Sequence, residues 1–210
     1  MKLHLAITQR YGEAQLIEDL ASIWGSSLVS ACLPRDFIVD GSNNITTPVA
    51  RIGPNGTNTT ANRFVLTDMV NRKAMTATTT DNKSITFNVA CKTLIVIATA
   101  PTLPFTDYLT LANLGPSLDE ILTGNVGTSG WFLAGGYKDG ISSTVISPGL
   151  HVYENSNAAS TSVQYRVGGS ATTSTRVWLA SILGWFGLNT TQTTQQRSAS
   201  LLSINRYYGL

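Results

Sequence analysis

The sequence predicts a mainly β protein: an antiparallel β-sandwich with one short amphipathic helix near its start. Three observations carry that expectation. About nine or ten extended segments, separated by Gly, Pro, Asn and Asp, follow one another with no helix recurring between them. Several alternate apolar and polar residues with a period of two, the spacing of a strand that buries one face. The segment TLIVIATA is apolar without a break and rich in β-branched residues, as befits a central strand covered on both sides. Sandwiches of this length form single units, so residues 1–210 are read as one domain, with the strand and helix of residues 1–25 packed on it. Such a chain buries a core large enough to need neither disulfide nor metal.

The elements follow in order. KLHLAIT sets Leu3, Leu5 and Ile7 against Lys2, His4 and Ala6, a half-buried strand. EAQLIEDLASIW places Leu16, Ile17, Leu20, Ala21 and Trp24 at helical spacing and ends at Gly25. Phe37 to Val39 is a short strand, followed by an Asp40-Gly41 turn and a long polar loop. SITFNVA alternates Ile85, Phe87 and Val89, and YLTLANL alternates Leu109 and Leu111. PSLDEIL reads as one helical turn, with Asp119 and Glu120 favoured by its dipole. WFLAGGYKDGISSTVIS is a hairpin about Lys138-Asp139-Gly140, since Asp-Gly tolerates the positive φ of a tight turn. GLHVYEN, TSVQYRVG, TRVWLASILGWF and SASLLSINRYYG complete the series of strands.

Composition narrows the function. Charged residues are 12% of the chain, against roughly 25% in an ordinary soluble domain. The formal net charge is +2 and no basic run exceeds Arg72-Lys73, which excludes nucleic-acid binding by phosphate neutralisation. No apolar stretch reaches the ~18 residues of a membrane span, so no membrane insertion is expected. The first residues lack the apolar centre of a secretory signal, giving the expectation of a chain made and kept in a cytoplasm. In that compartment Cys32 and Cys91 are expected as free thiols in the core.

One region resists the simple pattern. In TRVWLASILGWF both faces are apolar, Val177 and Leu179 on one and Trp178, Ala180 and Ile182 on the other. A sandwich strand with one wet face does not read so. The face of Trp178 is therefore expected to be covered, by the helix through Leu16, Leu20 and Trp24 or by a neighbouring subunit; the helix is preferred because it needs an apolar partner.

The order of pieces is similar to that of laminin-G-like, concanavalin A-like jelly-roll domains of bacteriophage virion proteins. The counterparts are IVDGSNNITTPVARIGPNGTNTTANRF for the opening segment, CKTLIVIATA for the central strand, VQYRVGG for the paired strands and SINRYYG for the closing strand. Gly168-Gly169 stand where those domains carry Asp or Asn, and the opening segment lacks their acidic cluster. The resemblance thus implies the jelly-roll fold, and no metal site with it. It also implies a virion location, with assembly in the host cytoplasm.

Catalytic signatures are sparse. His4 and His151 are the only imidazoles, neither in a metal-ligand spacing, and no Gly-x-Ser-x-Gly elbow occurs. A glycosidase needs two carboxyls ~5 to ~9.5 Å apart, whereas Glu13, Glu18, Glu120 and Glu154 show no such pairing along a strand. The expectation is a non-enzymatic virion surface protein, for capsid decoration or tail-borne adhesion, without cofactor. Its expected partners are other virion proteins and copies of itself, as a trimer suited to a symmetric particle. A host-surface glycan is a further candidate partner, with Trp131, Tyr137, Lys138 and Asp139 as candidate binding residues around the hairpin and Tyr207 and Tyr208 after them. The alternatives are a carbohydrate-binding module of an adhesin and, behind it, a polysaccharide-cleaving enzyme.

Overall fold

A computed structural model describes residues 11–58, 63–69, 72–77, 79, 83–101, 109–114, 123–124, 131–132, 136–143, 147–158, 160, 163–169 and 176–210, the side chains of 123–124 and 131–132 excepted. The expected strand KLHLAIT and the turn PSLDEIL lie outside these residues. Among the described residues the fold is mainly β, its sheets antiparallel, with no barrel or propeller closure.

The large sheet runs in the order β14 (Ile141–Ser142), β13 (Gly136–Lys138), β15 (Leu150–Ser156), β8 (Thr93–Thr99), β17 (Ile182–Leu188), β6 (Arg72–Thr76), β5 (Val65–Met69), and β1 (Leu28–Cys32) also pairs with β17. TLIVIAT is its central strand, buried from Thr93 to Ala98, as its unbroken apolar run requires. A second sheet is ordered β10 (Ala112–Asn113), β16 (Tyr165–Val167), β7 (Ile85–Phe87), β4 (Thr57–Asn58). Small pairings join β9 (Leu109–Thr110), β11 (Thr123–Gly124) and β12 (Trp131–Phe132), and β2 (Ile38–Val39) with β3 (Ile45–Thr47). YLTLANL is thus two short strands of different sheets.

The two main sheets face each other across one core. Val96, Ala98, Tyr153, Ile182 and Trp185 of the large sheet meet Ile85, Phe87, Ala112, Tyr165 and Val167 of the small one. Phe87 stacks on Tyr165 at 5.6 Å from Trp185 and 4.9 Å from the tyrosine ring, centroid to centroid. The opposite face of the large sheet carries Ile95, Ile97, Val152, Leu183, Phe186 and Leu188, and two helices cover it. Helix α1 (Glu13–Trp24) is where the apolar spacing predicts it, and it buries Leu16, Leu20 and Trp24.

Two expectations are corrected here. The closing segment SASLLSINRYYG is no strand but helix α2 (Thr194–Tyr208), opened by a capping box between Thr193 and Gln196 and closed by Gly209 in the left-handed conformation. Its buried face is Ser200, Ser203, Ile204 and Tyr207, the i, i+3, i+4, i+7 stripe of a helix whose serines let it approach α1 closely. Helix α1 does not cover Trp178 either. Trp178 is fully buried between the sheets, its indole N–H donating to Thr99 O at 3.0 Å, while Trp24 of α1 packs on Phe186 at 5.9 Å. The reason is a break at Leu179–Ser181 and a β-bulge between Ile182 and Gly184, which together turn Trp178, Ile182 and Trp185 inward and Leu183 and Phe186 toward the helices. The doubly apolar segment therefore serves both cores.

Cys32 and Cys91 are buried free thiols, and burial pushes the pKa of each up to about 12.

Candidate functional site

Two places gather polar chemistry. The first is a cleft of about 610 Å³ where four separate segments meet: the start of α1 with Tyr11 and Glu13, the turn carrying Arg35, the β5–β6 pair with Asp68, Arg72 and Lys73, and the end of α2 from Arg206 to Gly209. Four cations face two carboxylates in this lining, an excess of two positive charges. The Arg72 guanidinium lies 4.2 Å over the Tyr207 ring and donates to Tyr207 O at 2.5 Å. Arg206 lies 5.3 Å over Tyr11. These cation–π contacts brace the guanidinium planes, so a ligand meets donors that have already lost part of their rotamer freedom.

Glu13 forms the floor. Its carboxylate accepts from Tyr207 Oη at 2.9 Å and from Arg51 Nη2 at 2.7 Å, and Arg35 Nη1 stands 3.6 Å away. Burial, and then the hydrogen bond to Glu13, raise the Tyr207 pKa well above the ordinary phenol range, so it stays a donor. Tyr11 is raised for the same two kinds of reason, burial and its bond to Asp19.

The second place is the β13–β14 hairpin and the start of β15. Lys138 pairs with Ile141, leaving Asp139-Gly140 as a two-residue loop with φ of 52° and 79°, the type I′ pattern expected of Asp-Gly. That turn fixes Asp139 beside β15. Its Oδ1 accepts the Val152 N–H at 2.9 Å, and its Oδ2 lies 2.7 Å from His151 Nδ1. On the far side of the ring, His151 Nε2 is 3.0 Å from Ser147 Oγ and 3.2 Å from Pro148 O. Lys138 Nζ donates to Ser147 Oγ at 2.9 Å. Gly149, at φ 114°, makes the bend that returns Ser147 over the ring.

Of the residues singled out in the sequence, Lys138 and Asp139 thus converge. Tyr137, one residue earlier on the strand, points to the opposite face, where Arg197 of α2 stacks 3.6 Å above its ring. Trp131 lies in β12, and its side chain is outside the described residues. Tyr207 and Tyr208 both line the cleft. Ser147 escaped sequence reasoning, and His151 was set aside for want of a metal-ligand spacing, because no fixed spacing links serine, histidine and aspartate in such groupings. The signal available was Ser147 and His151 four residues apart, just beyond an Asp-Gly turn. The arginines of the cleft gave no signal, lying at positions 35, 72 and 206. Among the described residues no group of three or more His, Cys, Asp or Glu could hold a metal ion, and no helix is long and apolar enough to cross a membrane.

No family model matches the chain, and no curated protein does. Seven chains of solved structures match. A mutant of Trypanosoma rangeli sialidase displaying trans-sialidase activity aligns with TM-score 0.56 and 13% identity over 92% of this chain and 38% of that one. Trypanosoma rangeli sialidase in complex with 2,3-difluorosialic acid gives 0.48 and 11% over 87% and 34%, and its complex with sialic acid 0.46 and 13% over 91% and 37%. The chain spans little more than a third of these proteins' length. A β-sandwich is common ground between this likeness and the jelly-roll resemblance. The expectation of a non-enzymatic protein is corrected by the first of these likenesses: that protein is a sialidase mutant displaying trans-sialidase activity, so the fold is one that an enzyme also uses. That expectation rested on the resemblance, the low charge, the missing secretory signal and the absence of catalytic motifs along the chain, whereas the polar clusters here are assembled between segments.

Proposed function

We propose that this chain is a saccharide-recognising β-sandwich module of a virion surface protein, and that the arginine-lined cleft takes an acidic sugar. The cleft carries the reading: four cations against two carboxylates, with guanidinium planes held by tyrosine rings. Guanidinium matches a carboxylate with two parallel N–H···O bonds, each charge-assisted. A sandwich resembling that of a sialidase supports a carboxylate-bearing sugar as the occupant. The virion location rests on the jelly-roll resemblance and the weakly charged surface, and with it go self-association and contacts to other virion proteins.

Isothermal titration with sialyl-lactose and with lactose tests the ligand. Binding of the acidic trisaccharide alone is expected, weakened about tenfold by Arg206→Ala or Arg35→Ala, the loss of one charged hydrogen bond. Equal affinity for both sugars, or none for either, overturns the reading. Mass spectrometry of purified particles tests the location, and absence of the chain from them refutes it.

A further inference from the structure

The hairpin cluster shares no residue with the cleft, and its geometry points to a second activity: hydrolysis of a carboxylic ester by Ser147, with His151 as general base and Asp139 as its positioning residue. Asp139 Oδ2 lies 2.7 Å from Nδ1, and in the tautomer that carries its proton there, His151 presents the Nε2 lone pair toward Ser147. Lys138 Nζ donates to one lone pair of Ser147 Oγ at 2.9 Å, which leaves the serine's own proton available to Nε2, 3.0 Å away. Nucleophile, base and orienter thus stand in the sequence that activated serines require. Pro148 O, 3.2 Å from Nε2, gains an N–H donor once the ring is protonated, which stabilises the imidazolium. The Lys138 ammonium places positive charge beside the attacking oxygen.

The frame is stiff and open. Asp139 is held by the turn and by the Val152 N–H, and the His151 side chain keeps 17% exposure. Ser147 is half-buried. The other described groups against the ring are apolar or aromatic, Ala98 across the strand pair and Tyr153 at 6.0 Å.

The reaction balances without a redox partner. Ser147 Oγ adds to the ester carbonyl carbon as its proton passes to Nε2. The carbonyl–alkoxy bond breaks, the departing alkoxide takes that proton, and an alcohol leaves acyl-Ser147. Water adds to the acyl carbon, giving a proton to Nε2, and the bond to Oγ breaks as Oγ recovers it. Ester and water become acid and alcohol.

The test is the rate of labelling by a fluorophosphonate probe, mapped by peptide mass spectrometry, beside turnover of p-nitrophenyl acetate. An adduct on Ser147 is expected, forming at least tenfold more slowly in His151→Gln and Asp139→Asn. The wild-type rate should rise with pH through one ionisation that His151→Gln abolishes. Asparagine tolerates the positive φ of the turn and keeps an acceptor for Val152, so Asp139→Asn isolates the positioning role. Ester turnover is expected to vanish in Ser147→Ala. No adduct on Ser147 of the folded chain, labelling unchanged in His151→Gln, or turnover intact in Ser147→Ala overturns the proposal. None of these outcomes bears on sugar binding in the cleft.

Discussion

Replacing Arg197 by Met should remove a large part of the protein's stability. Glu154 lies on β15 under helix α2, and Arg197 of that helix meets it with two bonds, Nε to Oε2 at 2.7 Å and Nη2 to Oε1 at 2.9 Å. The side chains are 12% and 6% exposed, so water does not screen the pair. Methionine fills much of the space but leaves a buried carboxylate with only Ser156 Oγ, 3.2 Å away, as a donor among the bonds described. Stranding one partner of a buried pair costs about 3–5 kcal/mol, and loss of the stack on Tyr137 adds about 1 kcal/mol. For a chain of this size that is a fall in Tm of about 10 °C.

Urea titrations followed by tryptophan fluorescence at pH 7 measure the loss. A double variant, Glu154→Leu with Arg197→Met, should recover most of the loss, because no charge remains to desolvate. A cost below about 1 kcal/mol for Arg197→Met, or a double variant no better than the single, would refute the reasoning.

Thr193→Ala removes one half of the capping box that starts α2, so a loss of about 1 kcal/mol is expected by chemical denaturation, and no loss would mean packing alone holds the helix start. Cys32 and Cys91 should resist a thiol reagent at pH 8 until the protein unfolds, and rapid labelling of the native chain would contradict their burial. Their folded pKa values are raised, so the associated stability is whole below about pH 9 and falls as pH climbs toward 12, a decline that urea midpoints measured from pH 8 to 10 should begin to show.

Helix α1 and the central strand are legible in the chain because each states its environment in its own period. Leu16, Leu20 and Trp24 recur at helical spacing, and TLIVIAT offers no polar side to solvent. The Asp139-Gly140 turn is legible for a similarly local reason, the positive φ that those residues accept. Helix α2 is harder to see. Its buried stripe contains Ser200 and Ser203, while Leu202 faces solvent, so the apolar residues of SASLLSINRYY fit a strand as readily as a helix. Thr193 with Gln196 was the signal that separates the two.

The chain by itself therefore determined which stretches extend, where most of them turn, and that the aromatic last third is shielded. Long-range packing alone decided which side of the sheet each aromatic faces, since the break at Leu179–Ser181 and the bulge at Ile182–Gly184 together send Trp178 and Phe186 to different cores. It likewise decided that Arg35, Arg72 and Arg206 share a cleft and that Asp139 reaches His151. Periodicity reports only what a residue's immediate neighbours along the chain can feel, whereas Asp139 meets His151 across 12 positions and Glu13 meets Tyr207 across 194.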